Sequence, residues 1–146
     1  LDRFLMRIHL GYPDWQSEKK MLENDMQQQL SEIKECIRAD ELFAIQQEIK
    51  EIHASSTIFD YILKLVTLTR ESALFPHPLS PRASKAILAA SRAWAFIQGR
   101  DYVVPEDVQS ILPAVAEHRM RSAMSDINSQ HNLSKQLLEE IDPLAA

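Results

Sequence analysis

A chain of 146 residues, 45% hydrophobic and 25% charged, has the size and balance of one globular domain that can bury its own core. Only two glycines occur, Gly11 and Gly99, where an average chain of this length holds roughly ten, so no GxxxxGK[ST] or GxGxxG phosphate loop and no GxSxG elbow can be written. The net charge of −5 argues against general nucleic-acid binding, the single Cys36 excludes an internal disulfide, and no run approaches the ~18 apolar residues of a membrane span.

In chain order, Phe4, Met6, Ile8 and Leu10 alternate with their neighbours and predict a strand over residues 4–10, ended by Gly11, Tyr12 and Pro13. A lone strand leaves its backbone groups unpaired, so its sheet must lie elsewhere. Asp14 can cap a helix running to about Met26, and the glutamine-rich, charged residues that follow look like a linker. Asp40 can cap a second helix through Leu42, Ile45, Ile49 and Ile52. Ser55 or Ser56 starts a third with Phe59, Ile62, Leu63 and Val66 inward, and Pro76 and Pro78 break that run.

The clearest helix follows. Ser80 suits an N-cap and Pro81 the first helical position, where a missing N–H needs no partner. Ala83, Ala86, Ile87, Ala90, Trp94 and Ile97 make one apolar face, and Gly99 can end the helix in a left-handed conformation. Residues 102–104 make a short extended link. Pro105 opens a helix with Val108, Ile111, Leu112 and Val115 inward, kinked at Pro113. Arg119 to Ser125 can be extended, and Ser134 can cap a last helix carrying Leu137, Leu138 and Ile141 before Pro143.

Charge is unevenly spread. Residues 61–100 hold Lys64, Arg70, Arg82, Lys85, Arg92 and Arg100 against Glu71 alone, so the rest of the chain is more acidic than the whole. On the Pro81 helix, Arg82, Lys85 and Arg92 share one side, away from the alanine-rich face. Arg82 stands in the first turn, where the helix already carries partial positive charge and a cation costs a few tenths of a kcal/mol unless an anion is near. It therefore either swings into solvent, pairs with an acid of this chain, or meets a phosphate.

Other chemistry finds little support. The histidines at 9, 53, 77, 118 and 131 show no metal-ligand spacing. Residues 126–130 imitate the start of a calcium loop, but His131 replaces the required glycine and Leu137 the bidentate glutamate. Trp15 and Trp94 read as packing residues.

Three separated motifs, in order, resemble the C-terminal part of MoxR-type AAA+ ATPases: Leu1-Asp2-Arg3-Phe4-Leu5-Met6-Arg7 with Gly11-Tyr12-Pro13, then Leu79-Ser80-Pro81-Arg82-Ala83, then Gly99-Arg100-Asp101-Tyr102-Val103-Val104-Pro105-Glu106-Asp107-Val108. The resemblance implies a mainly α fold, a helical lid of four to five helices preceded by one strand and one helix of an α/β ATPase core. Residues 1–26 would be that core stub, 27–39 a linker and 40–146 the lid, all cut from a longer protein, as a first residue of Leu1 also suggests. It implies that Arg3 is the arginine finger, acting in trans on the phosphate held by a neighbouring subunit, and that Arg82 is the sensor-2 arginine, binding nucleotide in its own subunit. Tyr12 and Pro13 stand where relatives line the adenine pocket. Many relatives place Thr where this chain has Val104, which should weaken the following helix start by ~1 kcal/mol.

The same resemblance implies ATP and Mg²⁺ as cofactors of the complete protein and none for the fragment alone, which would not be catalytic. It implies a homo-oligomer, a hexameric ring, with chaperone-like action on partners bearing von Willebrand factor A domains, and no nucleic acid or membrane span. A cytoplasmic location is expected. The rival expectation is a non-catalytic helical interaction module using Phe59, Leu63 or Trp94. A GxxxxGK[ST] upstream of Arg3 would separate the two.

Overall fold

The structure is a computed structural model that describes residues 2–23, 33–121 and 132–141. The described residues form six helices and no strand: α1 Trp15–Glu23, α2 Ala39–Glu51, α3 Ser56–Glu71, α4 Pro81–Ile97, α5 Pro105–Met120 and α6 Leu133–Glu139. The chain divides into two compact units, one of Leu1–Arg7 with Gln47–Ala146, the other of Ile8–Gln46.

In the smaller unit, the Asp14 carboxylate accepts the Ser17 N–H at 2.7 Å and starts α1 as its sequence suggests. That bond holds the Asp14 carboxyl below its usual value. No residue of α1 is buried, and Trp15, Met21 and Leu22 are exposed. Asp40 is not the cap of α2 but lies in its first turn. The Arg38 N–H is taken instead by the Glu41 carboxylate at 2.9 Å. The alternating residues 4–10 do not form a strand: residues 2–5 turn and 6–10 have no ladder. Period-two patterning cannot supply the partner edge a strand needs.

The core of the larger unit is built from α3, α4, α5 and α6, with Leu65, Val66, Ile87, Val108, Leu112, Val115 and Leu137 fully buried. Helix α3 is capped by Ser55 and buries Ile58, Tyr61, Ile62, Leu65, Val66 and Thr69. Phe59 and Leu63, expected inward, are exposed. The buried stripe is rotated because Tyr61 turns in, its hydroxyl meeting Gln109 Nε2 at 3.4 Å.

Helix α4 starts as written, with Ser80 accepting the Ala83 N–H and Pro81 at the first position. Its buried face is Ala83, Ala86, Ile87, Ala90, Ser91 and Ala95. Trp94 and Ile97, the large residues expected on that face, lie outward at 38% and 70% exposure. The small side chains let α5 approach closely, and a bulky pair in the last turns would have held it off. Gly99, at φ 72°, ends the helix. The Arg100 N–H reaches the Ala95 carbonyl at 3.0 Å and the Gly99 N–H the Phe96 carbonyl at 2.9 Å, the paired bonds of a Schellman ending.

The link after Gly99 pairs briefly with the segment before α3. His53 N–H donates to the Asp101 carbonyl at 2.8 Å, and the Val103 N–H to the His53 carbonyl at 2.9 Å. Val104 has no side-chain oxygen, yet α5 is not left open. The Asp107 carboxylate takes the Val104 N–H at 2.9 Å, the returning half of a capping box. The helix passes through Pro113 and runs to Met120, so Arg119 and Met120 are helical rather than extended.

Helix α6 is capped by Asn132, which accepts the Lys135 N–H at 3.0 Å, and not by Ser134, which lies in its first turn. The Glu117 carboxylate anchors it, accepting the Ser134 N–H at 2.7 Å and the Leu133 N–H at 3.2 Å while meeting Arg121 Nε at 2.7 Å. Burial pushes the Glu117 carboxyl up, but Ser134, Arg121 and the Leu133 N–H outweigh it and hold its pKa below the ordinary 4.5. A carboxyl depressed on folding stabilises the native state above its unfolded pKa, and that contribution is lost as pH falls through the folded value. The melting temperature should therefore fall on acidification below pH ~4.5, and less steeply in Glu117→Gln, which starts lower at neutral pH. Equal slopes in a circular-dichroism pH series would rule this out.

A basic site at the start of helix α4

The loop before α4 is fixed by residues that periodicity does not single out. Phe75 and Leu79 plug the core. Thr69 Oγ1 donates to the Val66 carbonyl at 2.7 Å and accepts the Leu79 N–H at 3.0 Å. Arg70 Nε donates to the Leu79 carbonyl at 3.1 Å. A chain held so tightly up to Leu79 delivers Ser80, Pro81 and Arg82 at a defined height and angle.

Arg82 is 62% exposed in its side chain, in the first turn of α4. The anion beside it here is Asp2, whose Oδ2 lies 3.4 Å from Arg82 Nη1. Ser80 Oγ donates to the same carboxylate at 3.1 and 3.2 Å. An exposed pair of this length is weak. Lys85 is exposed, and Arg92 is half-buried with its Nε unpaired.

A second cation, Arg119 near the end of α5, also meets Asp2. Its side chain is 3% exposed. Arg119 Nε donates to Asp2 Oδ1 at 3.1 Å. Its Nη1 donates to the carbonyls of Leu5, at 3.1 Å, and of Val115, and its Nη2 to those of Phe4 and, at 3.5 Å, of Asp2. A guanidinium bears five donors in a rigid plane, and every nitrogen here is used. Arg7 N–H donates to the Ala114 carbonyl at 2.8 Å, so residues 2–7 lie along α5.

His118 lies beside it and is 6% exposed. Burial, then the Arg119 charge, hold its imidazole below the ordinary value, so it is neutral at physiological pH. Asp2, His77, Ser80, His118 and Arg119 border a cavity of ≈ 430 Å³.

The expected site residues fall out as follows. Arg82 and Ser80 meet Asp2, the neighbour of Arg3 in sequence. Arg3 itself is exposed and makes no ion pair among the described residues. Tyr12, 98% exposed, and Pro13 belong to the smaller unit. Sequence reasoning missed Arg119 altogether: it placed the residue in an extended stretch, and its partner Asp2 lies 117 positions away.

Residues 67–141, just over half of the chain, match the AAA lid domain family. The chain belongs to that family. The lid is also similar to YeaC of Bacillus subtilis, itself uncharacterized, at 32% identity over 82% of this chain and 38% of the relative. It is similar to the chaperone MoxR1 of Mycobacterium tuberculosis at 31% identity, over 82% of this chain and 34% of that protein. A 41-residue stretch is 42% identical to the MoxR protein of Methylorubrum extorquens. The fold is shared with a crystal structure from Cytophaga hutchinsonii described as a candidate ATPase, with a TM-score of 0.77 over 97% of this chain and 47% of the other at 24% identity. The chain is an AAA lid region similar to the corresponding part of MoxR proteins, and it spans under two fifths of the length of YeaC and MoxR1.

Proposed function

We propose that this lid senses the nucleotide of a MoxR-type AAA+ ATPase through Arg82, the sensor-2 arginine, and that Arg3 is the arginine finger offered to the neighbouring subunit. The observation that carries the proposal is Arg82 itself: an exposed guanidinium in the first turn of α4, on a loop fixed by Thr69 and Arg70, whose one ion pair among the described residues is the weak one to Asp2. A helix start with a weakly paired cation is suited to a phosphate.

The residues present fit part of what ATP and Mg²⁺ require. Arg82, with the Ser80 end of α4 behind it, would face the nucleotide phosphates. Among the described residues no group of three His, Cys, Asp or Glu side chains could hold a metal ion, so the Mg²⁺ ligands would come from the rest of the protein. Tyr12 and Pro13 would border the adenine. Bound ATP supplies the phosphoryl group transferred to water, and Arg82 steadies the negative charge on its oxygens. Residues 1–26 would belong to the core, 27–39 to a linker and 40–146 to the lid. The complete protein would work as a homo-oligomeric ring, hexameric and cytoplasmic. It would couple ATP hydrolysis to chaperone-like remodelling of partners with von Willebrand factor A domains, as the MoxR resemblance implies. No described helix is long and apolar enough to cross a membrane.

Arg82→Ala tests the central role in the complete protein. Turnover should fall about 10²-fold, the usual cost of removing one donor from developing charge. The melting temperature should stay within about 3 °C, as for an exposed side chain with one weak pair. Unfolding, or unchanged turnover, would make Arg82 a structural or incidental residue.

A further inference from the structure

The buried Arg119 does more than the stability of α5 requires. Enclosing a guanidinium is costly, and an apolar side chain of similar volume usually serves a core as well or better. What an apolar side chain cannot do is bind oxygens. Arg119 donates to the carbonyls of Asp2, Phe4 and Leu5 and to the Asp2 carboxylate, so it fixes the backbone on both sides of Arg3. It leaves Arg3 itself exposed and without an ion pair among the described residues. The Arg7 N–H on the Ala114 carbonyl secures the far end of the same segment to the same helix. The result is a side chain free to project from a backbone that is held.

A finger gains its effect from being held in place before the reaction, since reorganisation at that moment would cost rate. We propose that Arg119 is the positioning residue for Arg3, the lid helix α5 setting the finger that its own subunit offers to the next. The inference rests on the finger role proposed above. It gives α5 a task in trans, whereas Arg82 on α4 works in cis.

Mixed rings of the complete protein separate this from a merely structural role. In the donor experiment, subunits with a disabled nucleotide site and Arg119→Gln are mixed with Arg3→Ala subunits whose own site is intact. Hydrolysis then depends on the finger that the Arg119→Gln subunit presents. In the acceptor experiment, Arg3→Ala subunits that also carry Arg119→Gln and keep an intact site are mixed with site-disabled subunits that keep Arg3 and Arg119, and compared with Arg3→Ala acceptors that keep Arg119. The expected result is at least a tenfold loss in the donor mixture, relative to donors with Arg119, and less than a twofold loss in the acceptor mixture.

Equal losses in both mixtures, or no donor loss, would overturn the positioning role while leaving the finger intact. The finger role fails separately if site-disabled donors carrying Arg3→Ala support the Arg3→Ala acceptors as well as donors carrying Arg3, and the positioning role falls with it. Should Arg119→Gln not fold, Asp2→Asn removes the ionic part of the clamp and keeps the carbonyl bonds. A smaller loss confined to the donor mixture is expected of it, and a symmetric loss would count against the proposal.

Discussion

Pure rings carrying Arg3→Ala should lose about 10³-fold in ATP turnover, the lower range seen when a charge-stabilising arginine finger is removed from a nucleotide hydrolase. The size of the effect follows from what a guanidinium does there. Charge spreads over the phosphoryl oxygens as the bond to the leaving group loosens, and a fixed cation lowers the energy of that state more than of bound ATP. The mutation should leave the fold untouched, since the Arg3 side chain is exposed and the contacts of its segment run through its neighbours' backbone. Mixing with subunits whose nucleotide site is disabled but whose Arg3 is intact should restore part of the turnover. Absence of rescue at every mixing ratio would deny the residue its action across an interface.

The second large effect concerns stability. Asp107 is 2% exposed, and its two oxygens are shared between Arg100 and the backbone. Arg100 Nη1 donates to Oδ2 at 2.8 Å and also to the Tyr102 carbonyl at 3.0 Å, while Nη2 donates to Oδ1. The Val104 N–H completes the set at 2.9 Å. Asp107→Ala removes the cap of α5, frees the Tyr102 turn and leaves a small void. The loss should be about 3 kcal/mol, at the lower end for breaking a buried pair because Arg100 can still reach water. The corresponding fall in melting temperature is more than about 10 °C for a unit of this size. Asp107→Asn should lose less, as it can still accept the Val104 N–H. A thermal melt in which Asp107→Ala matches the unmutated chain would show that the capping and the ion pair contribute nothing net.

Much of the fold is legible in residues that act within one turn. Ser55 and Ser80 accept an N–H three positions on, Pro81 and Pro105 sit where no donor is needed, and Gly99 takes the left-handed angle that other residues resist. Those interactions are local, so neighbours in sequence suffice to define them. The errors have a common cause. Asp40 and Ser134 are plausible caps, but Glu41 and Asn132 fit the turn better. Phe59, Leu63, Trp94 and Ile97 follow the helical period, yet the rotation of each helix against its neighbours is set by packing. The strand expected over residues 4–10 fails for the same reason, because a ladder needs a second strand to pair with.

The candidate site divides in the same way. Arg82 is legible because a cation in the first turn of a well-capped helix conflicts with the field of that helix, and the conflict can be read from the sequence. Arg119 gives no such signal. It lies 117 positions from Asp2, and only the closing of the segment 2–7 onto α5 brings the two together at 3.1 Å. The sequence by itself determined where α1, α3, α4 and α5 start and where α4 stops, that these residues contain no phosphate loop, and that one arginine stands where an anion belongs. Tertiary structure decided which faces are buried and which guanidinium grips the backbone around Arg3. Capping and dihedral preference are energies of adjacent residues, whereas burial and long-range ion pairs are energies of surfaces that exist only once the helices have packed.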